Sequence, residues 1–152
     1  MKTIFSKKLM EFNRLDNLMD QVYNGYLSSN GISMTTMWIL YSTYISNGTS
    51  TQKDICENWC CVPQTINSAL KVLEKNGVVE LSFAEGNRKS KQIRLTDKGM
   101  KLCMQLVEPL IHAENKAFSI LTETEQELLV SLSQKYIEAL QNEISLSQKR
   151  SK

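Results

Sequence analysis

Apolar residues recur three or four positions apart through most of the chain, a spacing that predicts amphipathic helices. The first such segment runs from Phe5 to Leu27 and is broken at Asn30-Gly31. A second segment begins at Ser33, a residue suited to the N-cap, and continues to Ile45. The apolar face expected for this second helix consists of Met34, Met37, Trp38, Tyr41 and Ile45.

Two shorter helices with recognisable ends are predicted next. Thr51 and Asp54 resemble a capping box at the start of the third helix, whose expected buried face is Ile55, Trp59 and Val62. A tight turn at residues 60–62 leads to the fourth helix, in which Pro63 suits the first position. Gly77 can adopt the left-handed conformation that ends this helix. Its expected buried stripe is Ile66, Leu70 and Leu73.

The period then changes from helical to alternating. Apolar and polar residues alternate over residues 79–83 and again over 91–95, with a Gly-containing loop between them, which predicts a β-hairpin. Thr96 is expected to cap a long helix that Pro109 kinks, because proline removes a backbone donor. Thr122-Glu123-Thr124-Glu125 is a full capping box, so a last helix should begin there.

This order of elements predicts a mainly α fold with a small β-hairpin. Three helices followed by a two-stranded wing make a winged helix-turn-helix, to which the first and the last two helices are additional. Those terminal helices need another surface to cover, so we expect them to dimerise, and the polar tail after Ser145 is expected to fray. Within a single chain of residues 1–152, the winged helix-turn-helix is expected at 33–96 and the dimerisation helices at 1–30 and 97–145.

The chain resembles the MarR family of transcriptional regulators in three runs, Thr51–Ile55, Pro63–Val79 and Ile93–Gly99. The resemblance implies a homodimer with interleaved terminal helices that binds double-stranded DNA. It places the fourth helix, the recognition helix, in the major groove and the wing over the adjacent minor groove. It also implies that a small effector or oxidation can control binding. The family's wing often carries Asp and then Arg two residues later; here Asn87 and Lys89 occupy those positions, and Arg88 is expected to make the minor-groove contact.

The exposed side of the recognition helix can be predicted from its geometry. With Ile66 as the buried direction, a rotation of 100° per residue places Gln64, Ser68, Lys71 and Lys75 on the opposite side, flanked by Thr65 and Asn67. Asn and Gln can pair with adenine, and Lys can reach phosphate or guanine. An ordinary solvated face would have the same composition, but its place between a tight turn and a hairpin favours DNA. The expected contacts are Gln64, Thr65, Asn67, Ser68 and Lys71.

The wing concentrates positive charge, with four cations in residues 87–94 and only Glu85 nearby to offset them. Basic side chains suit the electronegative minor groove, although a solubilising loop is the simpler explanation for such a run. We favour DNA and expect contacts from Asn87, Arg88, Lys89 and Lys91. Thr51 and Gln52, at the start of the third helix, are expected to contact phosphates.

The composition narrows the remaining classes of function. The net charge of +2 does not by itself indicate nucleic acid, so the local clustering carries that argument. The first residues lack the apolar stretch of a signal peptide and no run suits a membrane helix, so a cytoplasmic protein without membrane contact is expected. His112 is the only histidine and no Gly-rich phosphate loop is present, which argues against an enzyme or a bound cofactor.

The cysteines and aromatic residues suggest structural roles. Cys56, Cys60, Cys61 and Cys103 form no paired Cys-x-x-Cys knuckles, which argues against a structural metal site, and the cytosol argues against disulfides. We expect Cys56 and Cys61 to be buried and inert, and Cys60 to be more exposed. Trp38 and Tyr41 are expected to pack in the core, while residues of an effector pocket are left unassigned.

These observations together predict a sequence-specific regulator that binds a palindromic operator as a homodimer. A repressor is favoured over an activator because a bound dimer blocks polymerase without further apparatus, an argument from the fold alone. The alternative is a winged-helix module that binds proteins and has lost DNA binding. The basic wing argues against that alternative.

Overall fold

A computed structural model describes residues 6–84 and 87–150, without the side chains of residues 84, 87–90 and 150. The described chain contains six α-helices and three β-strands. In order, they are α1 (Lys7–Ser29), α2 (Met34–Ile45), β1 (Thr49–Thr51), α3 (Gln52–Trp59), α4 (Pro63–Lys75), β2 (Val79–Ala84), β3 (Asn87–Leu95), α5 (Asp97–Phe118) and α6 (Glu123–Arg150). The predicted fold class, mainly α with a winged helix, is confirmed. None of the described helices combines the length and apolar character needed to cross a bilayer.

The wing belongs to an antiparallel sheet of three strands rather than to an isolated hairpin. The strand order is β1-β3-β2, and Ser50 of β1 lies opposite Ile93 of β3. The sequence predicts β2 and β3 but not β1, because Thr49–Thr51 is too short and too polar to show an alternating pattern. Pairing with β1 ties the start of α3 to the base of the wing.

The chain divides into two units, residues 1–109 and 110–152, which are described separately. The core of the first unit is formed by apolar side chains of α2, α3, α4, α5 and the sheet. Its most deeply buried members are Met37, Ile39, Leu40, Ile55, Ile66, Leu70, Val79, Ile93, Cys103 and Val107. The predicted stripe of α4 is confirmed.

The predicted apolar face of α2 is wrong at most of its positions: only Met37 is buried, Met34, Trp38 and Tyr41 are half-buried, and Ile39 and Leu40, which were not predicted, are fully buried. Ile45 is 56% exposed, whereas Ser42 and Thr43 are buried. Helix α2 packs against α1, α3, α4 and two strands, so more than one side of it is covered. The Thr43 hydroxyl lies 2.7 Å from both the Ile39 carbonyl and the Ser50 hydroxyl, and these hydrogen bonds make its burial tolerable.

The face predicted for α3 is also corrected at one position. Ile55 is fully buried, but Val62 lies beyond the helix and is 57% exposed. Val62 has an extended backbone and serves as the N-cap residue of α4. The helical spacing of Ile55, Trp59 and Val62 does not place them on one face, because the left-handed backbone at Cys60 ends α3 and changes the direction of the chain before Val62.

The second unit consists of the end of α5, a short connection and α6. The predicted capping box is confirmed, since the Thr122 amide donates to Glu125 Oε2 at 2.8 Å and the Glu125 amide donates to the Thr122 hydroxyl at 3.4 Å. The pKa of Glu125 is held below its usual value because the Thr122 amide and the Thr122 hydroxyl both donate to its carboxylate oxygen Oε2. Helix α6 continues past Ser145 to Arg150, so the polar tail that was predicted to fray is helical as far as that residue.

Candidate nucleic-acid interface

The recognition helix α4 presents a polar side to solvent while its other side completes the core. Ile66 and Leu70 are fully buried and Leu73 is 5% exposed. Every side chain predicted on the opposite side is exposed, namely Gln64, Thr65, Asn67, Ser68, Lys71 and Lys75. The structure therefore brings the predicted recognition residues together on one face, and their contact with DNA stays a prediction.

Both ends of α4 follow the signals in the sequence. Pro63 occupies the first helical position, where its missing N–H costs nothing. At the other end Gly77 has a φ of 66°, and the Val78 amide donates to the Leu73 carbonyl at 2.9 Å. This closure ends the helix and directs the chain into β2.

The side chains of Thr51 and Gln52 make hydrogen bonds within the fold. The Thr51 hydroxyl lies 2.7 Å from Asp54 Oδ2, and the Asp54 amide donates back to that hydroxyl at 3.1 Å, which completes the predicted capping box. The Gln52 side-chain amide donates to the Pro63 carbonyl oxygen at 3.0 Å. The two residues thus support the helix-turn-helix directly, and the phosphate contacts predicted for them stay a prediction.

The turn between α3 and α4 is tight and is built on cysteines. Cys60 adopts the left-handed conformation, with a φ of 49°, and its amide donates to the Cys56 carbonyl. The Cys61 amide donates to the same carbonyl at 3.2 Å. Cys60 is exposed as predicted, but Cys56 and Cys61 are half-buried rather than buried. Cys61 lies in the turn, which cannot be covered from all sides, whereas Cys56 lies within α3 on a side that the core covers only in part.

Burial keeps three of the thiols protonated. It is the main cause of the raised pKa of Cys56 and Cys61, and neighbouring Glu57 and the other thiols add to the effect. It raises the pKa of Cys103, which is fully buried, to about 12. Because the thiolate is the reactive form, these three side chains are poor nucleophiles.

An aromatic cluster joins the helix-turn-helix to α2. The rings of Trp38 and Trp59 are stacked with centroids 4.0 Å apart, and Tyr41 meets the Trp59 ring edge-on at 5.3 Å. Trp38 and Tyr41 are therefore packed, although both keep part of their surface exposed. The sequence indicated Trp59 as a core residue but not its stacking on Trp38, because ring pairs between separate helices leave no periodic signal. The Trp59 indole N–H is buried and has no hydrogen-bond partner among the described residues.

The wing extends from the base of the sheet, where Ile93 and Leu95 are buried, to its far end, where Phe83 is 58% exposed. Lys91 is half-buried and Arg94 is exposed. The predicted wing contacts Asn87, Arg88 and Lys89 belong to β3, but their side chains lie outside the described residues. In the described part of the chain, no three His, Cys, Asp or Glu side chains are grouped to hold a metal ion.

Comparison with known proteins agrees with this architecture. Residues 33–99 match a family model described as a winged helix DNA-binding domain. NMB1585, a MarR family regulator from Neisseria meningitidis, is similar in structure with a TM-score of 0.77 and 24% identity, over 92% of this chain and 98% of its own. A search of curated proteins by sequence found no match.

Two further solved structures are similar over most of the chain. A protein from Listeria monocytogenes, described as a MarR family transcriptional regulator and complexed with a 26mer DNA, has a TM-score of 0.66 and 22% identity, over 94% of this chain and 92% of its own. The PcaV transcriptional regulator from Streptomyces coelicolor, in complex with its natural ligand, has a TM-score of 0.68 and 17% identity, over 92% and 99%. The resemblance to MarR family regulators is thereby confirmed at the level of the fold.

Proposed function

Given that the chain carries a winged helix DNA-binding domain within the fold of MarR family regulators, we propose that it is a transcription regulator that binds double-stranded DNA sequence-specifically. The observation that carries the proposal is the face of α4. Its exposed residues, Gln64, Thr65, Asn67, Ser68 and Lys71, are all polar, while the opposite side is locked into the core by Ile66 and Leu70. A rigid helix with a polar outer face is what direct reading of base edges requires.

The wing supplies the second part of the proposed contact. Asn87, Arg88, Lys89 and Lys91 follow one another along β3, and β3 is held at its base between β1 and β2. A basic strand of this kind suits a narrow minor groove. Thr51 and Gln52 complete the proposed interface at the start of α3, where backbone amides can approach a phosphate.

The proposed active form is a homodimer in which residues 1–30 and 97–145 dimerise and residues 33–96 bind DNA. Long apolar side chains on α1 are exposed in the single chain, among them Met10, Phe12, Leu15, Met19 and Val22. Considered separately, α6 also exposes Leu128, Leu129, Leu132, Ile137 and Leu140. Apolar surface on this scale usually marks an interface. Two copies related by a two-fold axis would read a palindromic operator.

We propose a repressor and not an activator, because a dimer bound over a promoter excludes polymerase without any further protein contact. The natural ligand of PcaV supports an effector as part of the proposal, without assigning a pocket. No catalytic role is proposed, and a cytoplasmic site of action follows from the proposed function.

The deciding experiment is a binding assay with fragments of the source genome, followed by a salt titration on the fragments selected. A regulator should bind a small set of fragments, and the logarithm of affinity should fall linearly and steeply with the logarithm of salt concentration. Binding to no fragment, with capture of a protein partner instead, would favour the protein-interaction module.

A further inference from the structure

The start of the recognition helix carries no positive charge. From Pro63 to Leu70, about two turns, it contains neither Lys nor Arg, and its first cation is Lys71. The exposed side chains in these turns are Gln64, Thr65, Asn67 and Ser68. In helix-turn-helix proteins it is this N-terminal part of the helix that contacts base edges.

Of these four side chains, only that of Ser68 makes a hydrogen bond within the described residues. The Ser68 hydroxyl donates to the Gln64 carbonyl at 3.0 Å, so its hydrogen is already used within the helix. Within the described residues, the side-chain amides of Gln64 and Asn67 take part in no hydrogen bond. Each therefore presents an N–H donor beside a carbonyl acceptor to whatever lies against the helix.

That pair of groups matches one base in particular. Adenine offers an N6 donor and an N7 acceptor in the major groove, and Asn or Gln can bind both at once. Guanine offers two acceptors there and is read mainly by Arg or Lys, which these turns lack. The Thr65 methyl group is suited to the methyl group of thymine.

We propose that the part of each half-site read by the start of α4 consists of A·T pairs, with adenines bound by Gln64 and Asn67. Lys71 is then the first side chain of the helix able to reach a guanine or a phosphate. This inference rests on the proposed function, because it specifies the DNA sequence that the same helix recognises.

The first test is selection of bound sequences from random double-stranded DNA. The wild-type protein should select half-sites whose central contacted positions are A·T, and Asn67→Ala should lose the preference at one of them. A consensus with G·C pairs at those positions would overturn the inference while leaving the proposed function intact. Failure to bind any DNA would count against both.

The second test replaces a single ring atom of the DNA, the nitrogen N7 of an adenine, by a C–H group. Replacing the contacted adenine by 7-deazaadenine deletes the N7 acceptor but keeps base pairing. Wild-type affinity should fall roughly 2-fold to 13-fold, because one of the two hydrogen bonds is lost from a bidentate pair worth roughly 1–3 kcal/mol. The same DNA should cause no such loss in the variant lacking the matching amide, either Gln64→Ala or Asn67→Ala.

Glu74→Ala is the matched control, because Glu74 is an exposed residue of α4 outside the proposed DNA contacts and the variant should keep the sensitivity to 7-deazaadenine. Circular dichroism would confirm that each variant is folded, and having two amide variants keeps the test independent of either one. Equal wild-type affinity for adenine and 7-deazaadenine at every selected position would overturn the inference.

Discussion

The side chain of Gln52, the first residue of α3, donates a 3.0 Å hydrogen bond to the carbonyl oxygen of Pro63, the first residue of α4. This bond joins the start of one helix to the start of the next across the helix-turn-helix. The start of α4 is the part proposed to enter the major groove, and no side chain caps it. Gln52 therefore helps to fix the orientation of the recognition helix.

Replacing Gln52 by Ala should lower both stability and operator affinity. The hydrogen bond it removes is exposed and should cost about 0.5–1.5 kcal/mol of unfolding free energy. Operator affinity should fall several-fold more than non-specific affinity, because a less fixed α4 makes specific contacts worse. Urea unfolding and competition binding measure the two effects. Gln134→Ala, which removes a similar amide bond to Glu138 on α6, should leave DNA binding unchanged. Equal loss of specific and non-specific affinity would contradict a positioning role for Gln52.

Replacing Gly99, near the start of α5, by any larger residue should destabilise the fold. A Cβ added there would overlap the backbone carbonyl oxygen of Val78. That oxygen also accepts a hydrogen bond from the Thr96 amide at 3.1 Å, so the backbone at this point is held in place. Gly99→Ala should therefore lower the unfolding free energy by about 1–3 kcal/mol or more.

Gly25→Ala is the matched control, since nothing lies within 4 Å of the added Cβ and the residue is inside α1. Removing a helical glycine should raise the unfolding free energy by roughly 0.5–1 kcal/mol. Denaturant curves for both variants must be measured at one protein concentration, because dimerisation would shift them. Equal effects of the two substitutions would show that the approach to Val78 does not constrain the chain.

The helices could be predicted because their ends are marked by local chemistry. Pro63, Gly77 and the capping box at Thr122 each act within one turn of backbone, so the sequence alone indicates them. The exposed face of α4 followed from a single buried position and the geometry of a helix. The helix ends and the exposed face of α4 could therefore be predicted without knowing which other segments of the chain pack against them.

Features that depend on distant residues could not be read in the same way. The strand β1 exists because Thr49–Thr51 pairs with β3, about 40 residues later in the chain. The burial of Thr43 depends on a hydrogen bond to Ser50, and the bond from Gln52 to Pro63 depends on the shape of the turn between them. From the sequence alone, polar side chains such as those of Thr43 and Gln52 are predicted to face solvent or DNA, because their hydrogen-bond partners within the fold cannot be identified.

The four thiols should differ in their rate of alkylation in the folded protein. Cys60 should react before Cys56 and Cys61, because only Cys60 is exposed. Cys103 should react last, since burial raises its pKa to about 12 and raising the pH from about 7 to about 9 creates almost no thiolate there. Mass spectrometry after timed alkylation gives the order.

If the thiols are inert towards regulation, mild peroxide should leave DNA binding nearly unchanged. Peroxide-dependent release from DNA that is reversed by a reductant and abolished by Cys60→Ser would contradict this expectation. Unfolded protein, in which all four thiols should react at similar rates, is the control for intrinsic reactivity.

The dimer proposal can be tested with two substitutions on α6 that introduce the same charge. Leu140 is 43% exposed in the single chain, and a subunit interface would bury it further. Leu140→Asp should weaken the dimer at least tenfold, because it removes apolar burial worth roughly 1.5–3 kcal/mol and buries a charge. Asn142→Asp, at an exposed polar position two residues later, should have little effect. Sedimentation measures both, and a wild-type monomer at micromolar concentration would refute the dimer.

The wing and the recognition helix should contribute to DNA binding in different ways. Arg88 and Lys89 are proposed to bind phosphates and the minor groove, so replacing either by Ala should weaken binding to most sequences alike. The salt slope should become shallower by about one unit for each phosphate interaction that the substitution removes from each subunit. Lys149→Ala, which removes a charge near the end of α6, controls for the change in net charge and should leave the slope as it was.

Asn67→Ala should lower specific binding to the operator without the general loss of affinity expected for the two wing variants. An amide that reads a base edge contributes discrimination rather than charge, so operator affinity should fall while non-specific affinity and the salt slope stay the same. Titrations of operator and scrambled DNA at several salt concentrations give both quantities for every variant. A wing variant that altered sequence preference, together with Asn67→Ala altering only the salt slope, would reverse the assignment of the two elements. If neither substitution affected binding to DNA, the proposed contacts of both elements would be refuted, because neither the exposed face of α4 nor the wing would then take part in the complex. If the wild-type protein bound no DNA at all, the protein-interaction alternative would become the better explanation.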